Sequence, residues 1–126
     1  RQAESTMAHV TSPVERAIRT LTTMSVQPAY LAELELWGAA RTDSDLQEAV
    51  RSAERDARLE RERVVDSLFA PVLDNPNYPA VKALSIAFLR GMSLSSVLVS
   101  NLEHSQKLVS QWVWAVEALL QAPSQS

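Results

Sequence analysis

The side chains that could do chemistry are few, and their spacing suits none of the common reactions. The chain has two histidines and no cysteine. His9 stands alone in the N-terminal segment, and His104 follows Glu103 directly, so on a helix those two side chains diverge by about 100°. A helical di-metal centre needs Glu-x-x-His spacing on paired helices, which does not occur here. Without thiols there is no disulfide framework, thiolate zinc site or cysteine nucleophile. Glu33 and Glu35 lie on nearly opposing faces of one helix, too divergent to share a substrate; one is expected to meet solvent and the other an arginine. There is no glycine-rich phosphate loop, nucleophile elbow or Ser/His/Asp set in a helical context that would use it. The residues point away from catalysis, and no metal or cofactor is expected.

What remains is binding, and charge narrows the partners. The formal net charge is −3, without a lysine-rich block, so these residues offer nucleic acid no positive face for phosphate neutralisation. Arg51 to Arg63 is only superficially basic, because its five arginines are offset by Glu54, Asp56, Glu60 and Glu62. Glu54 with Arg58 and Arg58 with Glu62 stand at i,i+4, where opposite charges support a solvated helix. No apolar run approaches the roughly 20 residues of a membrane span. A cytoplasmic location and no membrane partner are expected. The chain opens at Arg1 rather than methionine, which fits the regulatory part of a longer polypeptide.

The elements that position these residues are helices. Length and a 46% hydrophobic content suit one compact domain. Glycines number only two, and apolar positions recur at three and four rather than two. The reading is all-α with about five to six helices: a linker or frayed segment over 1–11, a domain over 12–122 and a disordered tail over 123–126. Ser12-Pro13-Val14-Glu15 combines an N-cap hydroxyl, proline at the first helical position and a carboxylate at N3. Val14, Ala17, Ile18, Leu21 and Met24 then share one face. Pro28 opens a second helix, expected to be buried on most sides. Thr42-Asp43-Ser44-Asp45 starts a third, whose narrow stripe is Leu46, Val50, Ala53, Ala57, Val64 and Leu68. The run from Asp74 to Pro79 is the clearest turn, and a fourth helix is expected from about Pro79 to Ser100. It is apolar on two sides, with Val81, Leu84, Phe88, Gly91, Ser95 and Leu98 on one and Ala83, Ile86, Ala87, Leu94 and Val97 on the other. A domain with one core covers one such side, and a partner subunit is the simplest cover for the second. A capping box at Ser100 to Glu103 starts the last helix, with Leu102, Val109, Trp112, Val113, Val116 and Leu120 on its face; Trp114 points elsewhere, as an interface anchor.

Met24, Tyr30, Trp37, Phe69, Phe88 and Met92 are large, adaptable apolar residues at helical spacing. They suit a filled core, and equally the wall of an apolar pocket between helices.

The stretch LELWGAARTDSDL, Leu34 to Leu46, resembles a signature of the ligand-binding and dimerisation domain of TetR-family transcriptional repressors. Asp74 to Tyr78 followed by Phe88 to Met92 is similar to that family's turn and long dimer helix, and the resemblance spans about Pro13 to Gln121. It implies a bundle-like effector domain and a homodimer whose last two helices form an intersubunit four-helix bundle. The implied dimer surface comprises Arg90, Gly91, Leu94, Val97, Leu98, Trp112 and Val116, with Gly91 allowing close helix approach. The implied pocket for a small, mostly apolar effector is walled by Met24, Tyr30, Leu34, Trp37, Phe69, Phe88 and Met92. The family's N-terminal helix-turn-helix has no counterpart in Arg1 to Pro13, so DNA would be bound only through a domain outside these residues. The alternative is an all-helical homodimeric scaffold without effector or DNA role, which a tightly filled interior around Trp37 and Phe88 would favour.

Overall fold

The computed structural model describes residues 12–25, 27–95 and 102–124, which form an all-α fold. Its helices are α1 (Pro13–Ser25), α2 (Pro28–Ala40), α3 (Ser44–Leu68), α4 (Tyr78–Ser95) and α5 (Leu102–Gln121), with a 3-10 turn at Ala70–Val72. Among the described residues no helix is long and apolar enough to cross a membrane.

α1 is the hub and touches each of the other helices. The Ser12 hydroxyl accepts from the Glu15 amide at 3.0 Å, satisfying one of the free N–H groups that every helix start leaves. The same hydroxyl lies 3.3 Å from Glu117 Oε2, which ties the start of α1 to α5. Val14, Ala17, Ile18 and Leu21 are buried, as their spacing requires, while Met24 is 43% exposed at the far end. Around this stripe the core gathers Val65 and Phe69, Tyr78 and Val81, then Val109, Trp112, Val113 and Val116. The Phe69 and Tyr78 rings stand 5.8 Å apart, and Phe88 meets Trp112 edge-on at 5.0 Å.

α2 departs from expectation. Leu34 and Ala40 are buried, but Leu36 is 51% exposed. Its apolar residues are spread around the whole circumference, so packing on one side leaves the rest in solvent. Glu35 is among the exposed residues, while Glu33 reaches α3.

α3 starts where Asp43 Oδ1 accepts from the Leu46 amide at 3.1 Å. Its middle is largely exposed, but the inward face is rotated from the expected stripe. Ala53 and Ala57 are exposed, Val65 is buried, and Glu54 and Arg61 are half-buried. Two charged residues therefore turn inward along with the valines.

The Asp74–Pro79 turn docks α5. Asn75 Nδ2 donates to the Leu120 carbonyl at 2.9 Å, and Asn77 Nδ2 donates to those of Leu119 and Ala122 at 2.8 Å each. The last carbonyls of a helix lack intrahelical donors, and these two amides supply them. α4 begins at Tyr78, and its expected continuation over 96–100 lies outside the described residues. Its inner side is pinned by the Trp112 indole, which donates to Ser85 Oγ at 3.0 Å.

Candidate functional site

Small side chains create the principal cavity. Ser25 on α1, Ala29 on α2 and Ser85 on α4 leave unfilled space where four helices converge, and about 350 Å³ results. Leu21, Met24, Val64, Val65, Ile86 and Leu89 supply most of the wall. Its size falls within the range of small-molecule pockets, roughly 300 to 1,000 Å³, and its apolar wall with few polar groups has their character. Two other depressions differ in kind. A groove of about 410 Å³ beside Trp37 lies open to solvent and is lined by Arg41, Arg51, Arg55 and Arg58. Another, of about 280 Å³, separates α4 from α5 and includes Leu84, Phe88, Leu108 and Trp112.

Besides the two serines, the polar part of the lining is Gln27, Tyr30, Arg61 and Arg90. Arg61 makes a forked pair with Glu54, two turns earlier on α3, at 2.6 and 2.8 Å. It also lies 3.5 Å from Glu33 on α2. Arg90 crosses from α4 to the same Glu54 at 3.6 Å, and its guanidinium stacks 4.5 Å from the Trp37 ring centroid. One carboxylate thus joins two arginines, and the group links α2, α3 and α4. The Glu54 hydrogen bonds, outweighing the desolvation that opposes them, raise the Arg61 pKa, so the guanidinium stays charged. Burial pushes the Tyr30 phenol up, against the lowering effect of Arg90, so it is protonated at neutral pH. A second polar group braces the opposite end of α3. There the Tyr78 hydroxyl donates to Asp66 Oδ1 at 2.6 Å, and Lys82 lies 3.2 Å from the same oxygen and 3.6 Å from Glu62.

Of the expected pocket wall, Met24 and Tyr30 line this cavity. The others lie elsewhere. Leu34 is buried away from the lining. Trp37 sits under Arg90, bordering the solvent-open groove. Phe69 is core, 1% exposed. Phe88 faces Trp112 and the α4–α5 groove, and Met92 packs against the core. The cavity instead uses Ser85, Ile86, Leu89 and Arg90, the adjoining face of α4. The expected dimer surface divides similarly. Gly91 and Leu94 are exposed, and a Cβ built on Gly91 would meet nothing within 4 Å. Arg90, by contrast, faces the cavity, and Trp112 and Val116 are core residues, 6% and 3% exposed, already covered by their own chain. Val97 and Leu98 lie outside the described residues. The i,i+4 reading of Arg51–Arg63 also changes, because Glu54 pairs with Arg61 and Arg90, and Glu62 with Lys82.

Among the described residues no group of three or more His, Asp or Glu is placed to hold a metal. Comparison with family models, curated proteins and solved structures finds no match, so the functional reading is drawn from residues and geometry.

Proposed function

We propose that this chain is the effector-sensing and dimerisation domain of a TetR-like transcriptional repressor. In this reading it binds a small, mostly apolar ligand that controls DNA binding by a separate N-terminal helix-turn-helix. The observation that carries the reading is the double use of α4. Its inner side contributes Ser85, Ile86, Leu89 and Arg90 to the cavity. Its outer side presents exposed Ala80, Leu84, Ala87, Gly91 and Leu94. Those outer positions step by four, three, four and three residues, the spacing of a helix-pairing seam, and Leu84 and Leu94 are 58% and 55% exposed. A helix that carries a ligand wall and an unpaired apolar seam back to back can pass a displacement from one to the other. The cavity also exceeds the roughly 300 Å³ floor of ligand pockets, which favours a sensor over a filled scaffold.

Sedimentation tests the seam. At micromolar concentration the parent chain is expected to sediment as a dimer. Leu84→Glu and Leu94→Glu are expected to give monomers with unchanged helical circular dichroism, since both side chains already meet solvent in the single chain. A monomeric parent, or dimers that persist with both substitutions combined, would overturn the proposal.

A further inference from the structure

We infer that the ligand of the cavity is an uncharged, largely apolar molecule with one hydrogen-bond acceptor, taken by the Tyr30 hydroxyl. This rests on the effector reading above and goes further by fixing the charge and polar group of the ligand. Size comes first: at the roughly 30 Å³ that one water occupies in the liquid, about 350 Å³ accommodates about a dozen non-hydrogen atoms.

Charge comes next. A cationic ligand would meet Arg61 and Arg90 in the lining and no carboxylate. An anionic ligand would meet guanidinium groups that already have partners. Arg61 holds Glu54 by a forked pair and Glu33 beside it, and Arg90 reaches Glu54 while stacked on Trp37. Two carboxylates balance two guanidinium groups, so one more carboxylate would leave an uncompensated charge against a largely apolar wall, which is unfavourable unless a partner is released to it. Glu54 is held by short charge-assisted bonds and is a poor candidate for release.

The polar group follows from Tyr30. Tyr30 lines the cavity beside Arg90, and its phenol has one proton of its own to give. Against an apolar ligand alone, that proton would lose the acceptor that water gives it. A carbonyl or ether oxygen on an otherwise apolar molecule supplies one.

The test uses methyl hydrocinnamate and phenylbutyrate, constitutional isomers that are neutral and anionic at neutral pH, with butylbenzene as the hydrocarbon. Binding is read by calorimetry. Methyl hydrocinnamate is expected to bind at least about tenfold tighter than phenylbutyrate, a gap of about 1.4 kcal/mol. Tyr30→Phe is expected to weaken the ester by about three- to tenfold, the range of one hydrogen bond, and to leave butylbenzene unchanged. Ala29→Phe, at an exposed position on the cavity rim, is expected to abolish binding of both and so locate the site. Phenylbutyrate binding as tightly as the ester, or an ester indifferent to Tyr30→Phe, would overturn the inference while a cavity blocked by Ala29→Phe still stood as a ligand site. Failure of all three compounds to bind would overturn the effector reading itself, and this inference with it.

Discussion

Glu54 and Asp66 show how single carboxylates on α3 hold other helices. The Glu54 and Arg61 side chains are each 22% exposed, and Arg90 is 27% exposed, which is too covered for the solvated pair that usually contributes under about 1 kcal/mol. Glu54→Gln leaves two guanidinium groups with only Glu33 nearby, and a loss of about 1 to 3 kcal/mol in urea unfolding is expected. A double-mutant cycle with Arg61→Met measures the pair itself; coupling below about 0.5 kcal/mol would show that the pair is ornamental. Asp66 acts through pH. The Tyr78 hydrogen bond, aided by Lys82, lowers its pKa below 3.8, so its contribution is present above that value and is lost as pH falls through the lower folded one. For Tyr78 the sign reverses. Burial first, then Asp66, raises its pKa above 10.0, so stability holds below pH 10.0 and declines as pH rises beyond it. Asp66→Asn is expected to flatten the acid limb of a stability–pH curve, and Tyr78→Phe the alkaline limb; an unchanged limb in either variant would refute its assignment. None of this pairing was legible beforehand. Glu54 and Arg61 are seven apart, two full turns, while the nearer i,i+4 partners are equally plausible in one dimension.

The starts of α1 and α3, by contrast, are legible in the sequence because each depends on residues three apart. Ser12 with Glu15 and Asp43 with Leu46 needed no tertiary information. Faces were less legible. α2 is apolar around its circumference, so no sequence period could say which side would be buried, and burial turned out to be slight. The largest apolar side chains, Trp37, Phe69 and Phe88, do not wall the cavity, because large side chains fill space. Empty volume arises beside small ones, and the usable signal was serine within an apolar helix, at Ser85 and Ser25. The turn before α4 carries its own prediction. Asn77 donates to two carbonyls at the end of α5, and Asn77→Ala leaves both without that donor. A destabilisation of about 1 to 3 kcal/mol is expected, with faster amide exchange in the last turn of α5 than elsewhere. Uniform exchange throughout α5 would instead mean that water replaces the amide at little cost.

At the scale of the whole molecule, the proposed ligand cavity and the proposed pairing seam lie on two sides of one helix, α4. Arg90 on α4 lies 3.6 Å from Glu54 on α3, so in the proposed reading a ligand that displaced α4 would have to strain or break that bridge. If ligand binding shifts α4, thermodynamic linkage requires reciprocity: with one cavity in each protomer, saturating ligand changes the dimer dissociation constant by the square of the factor by which dimerisation changes the affinity of each site. Couplings between sites commonly run from about 5- to 150-fold. We expect Leu94→Glu, held monomeric, to differ from the dimeric parent in ester affinity by about fivefold or more, and saturating methyl hydrocinnamate to change the dimer dissociation constant in sedimentation by the square of that factor, about 25-fold or more. Glu54→Gln, which frees α4 from α3, is expected to shrink both factors together. A ligand that binds the dimer and the Leu94→Glu monomer equally would separate the cavity from the seam, because a molecule with equal affinity for two states shifts neither, however tightly it binds.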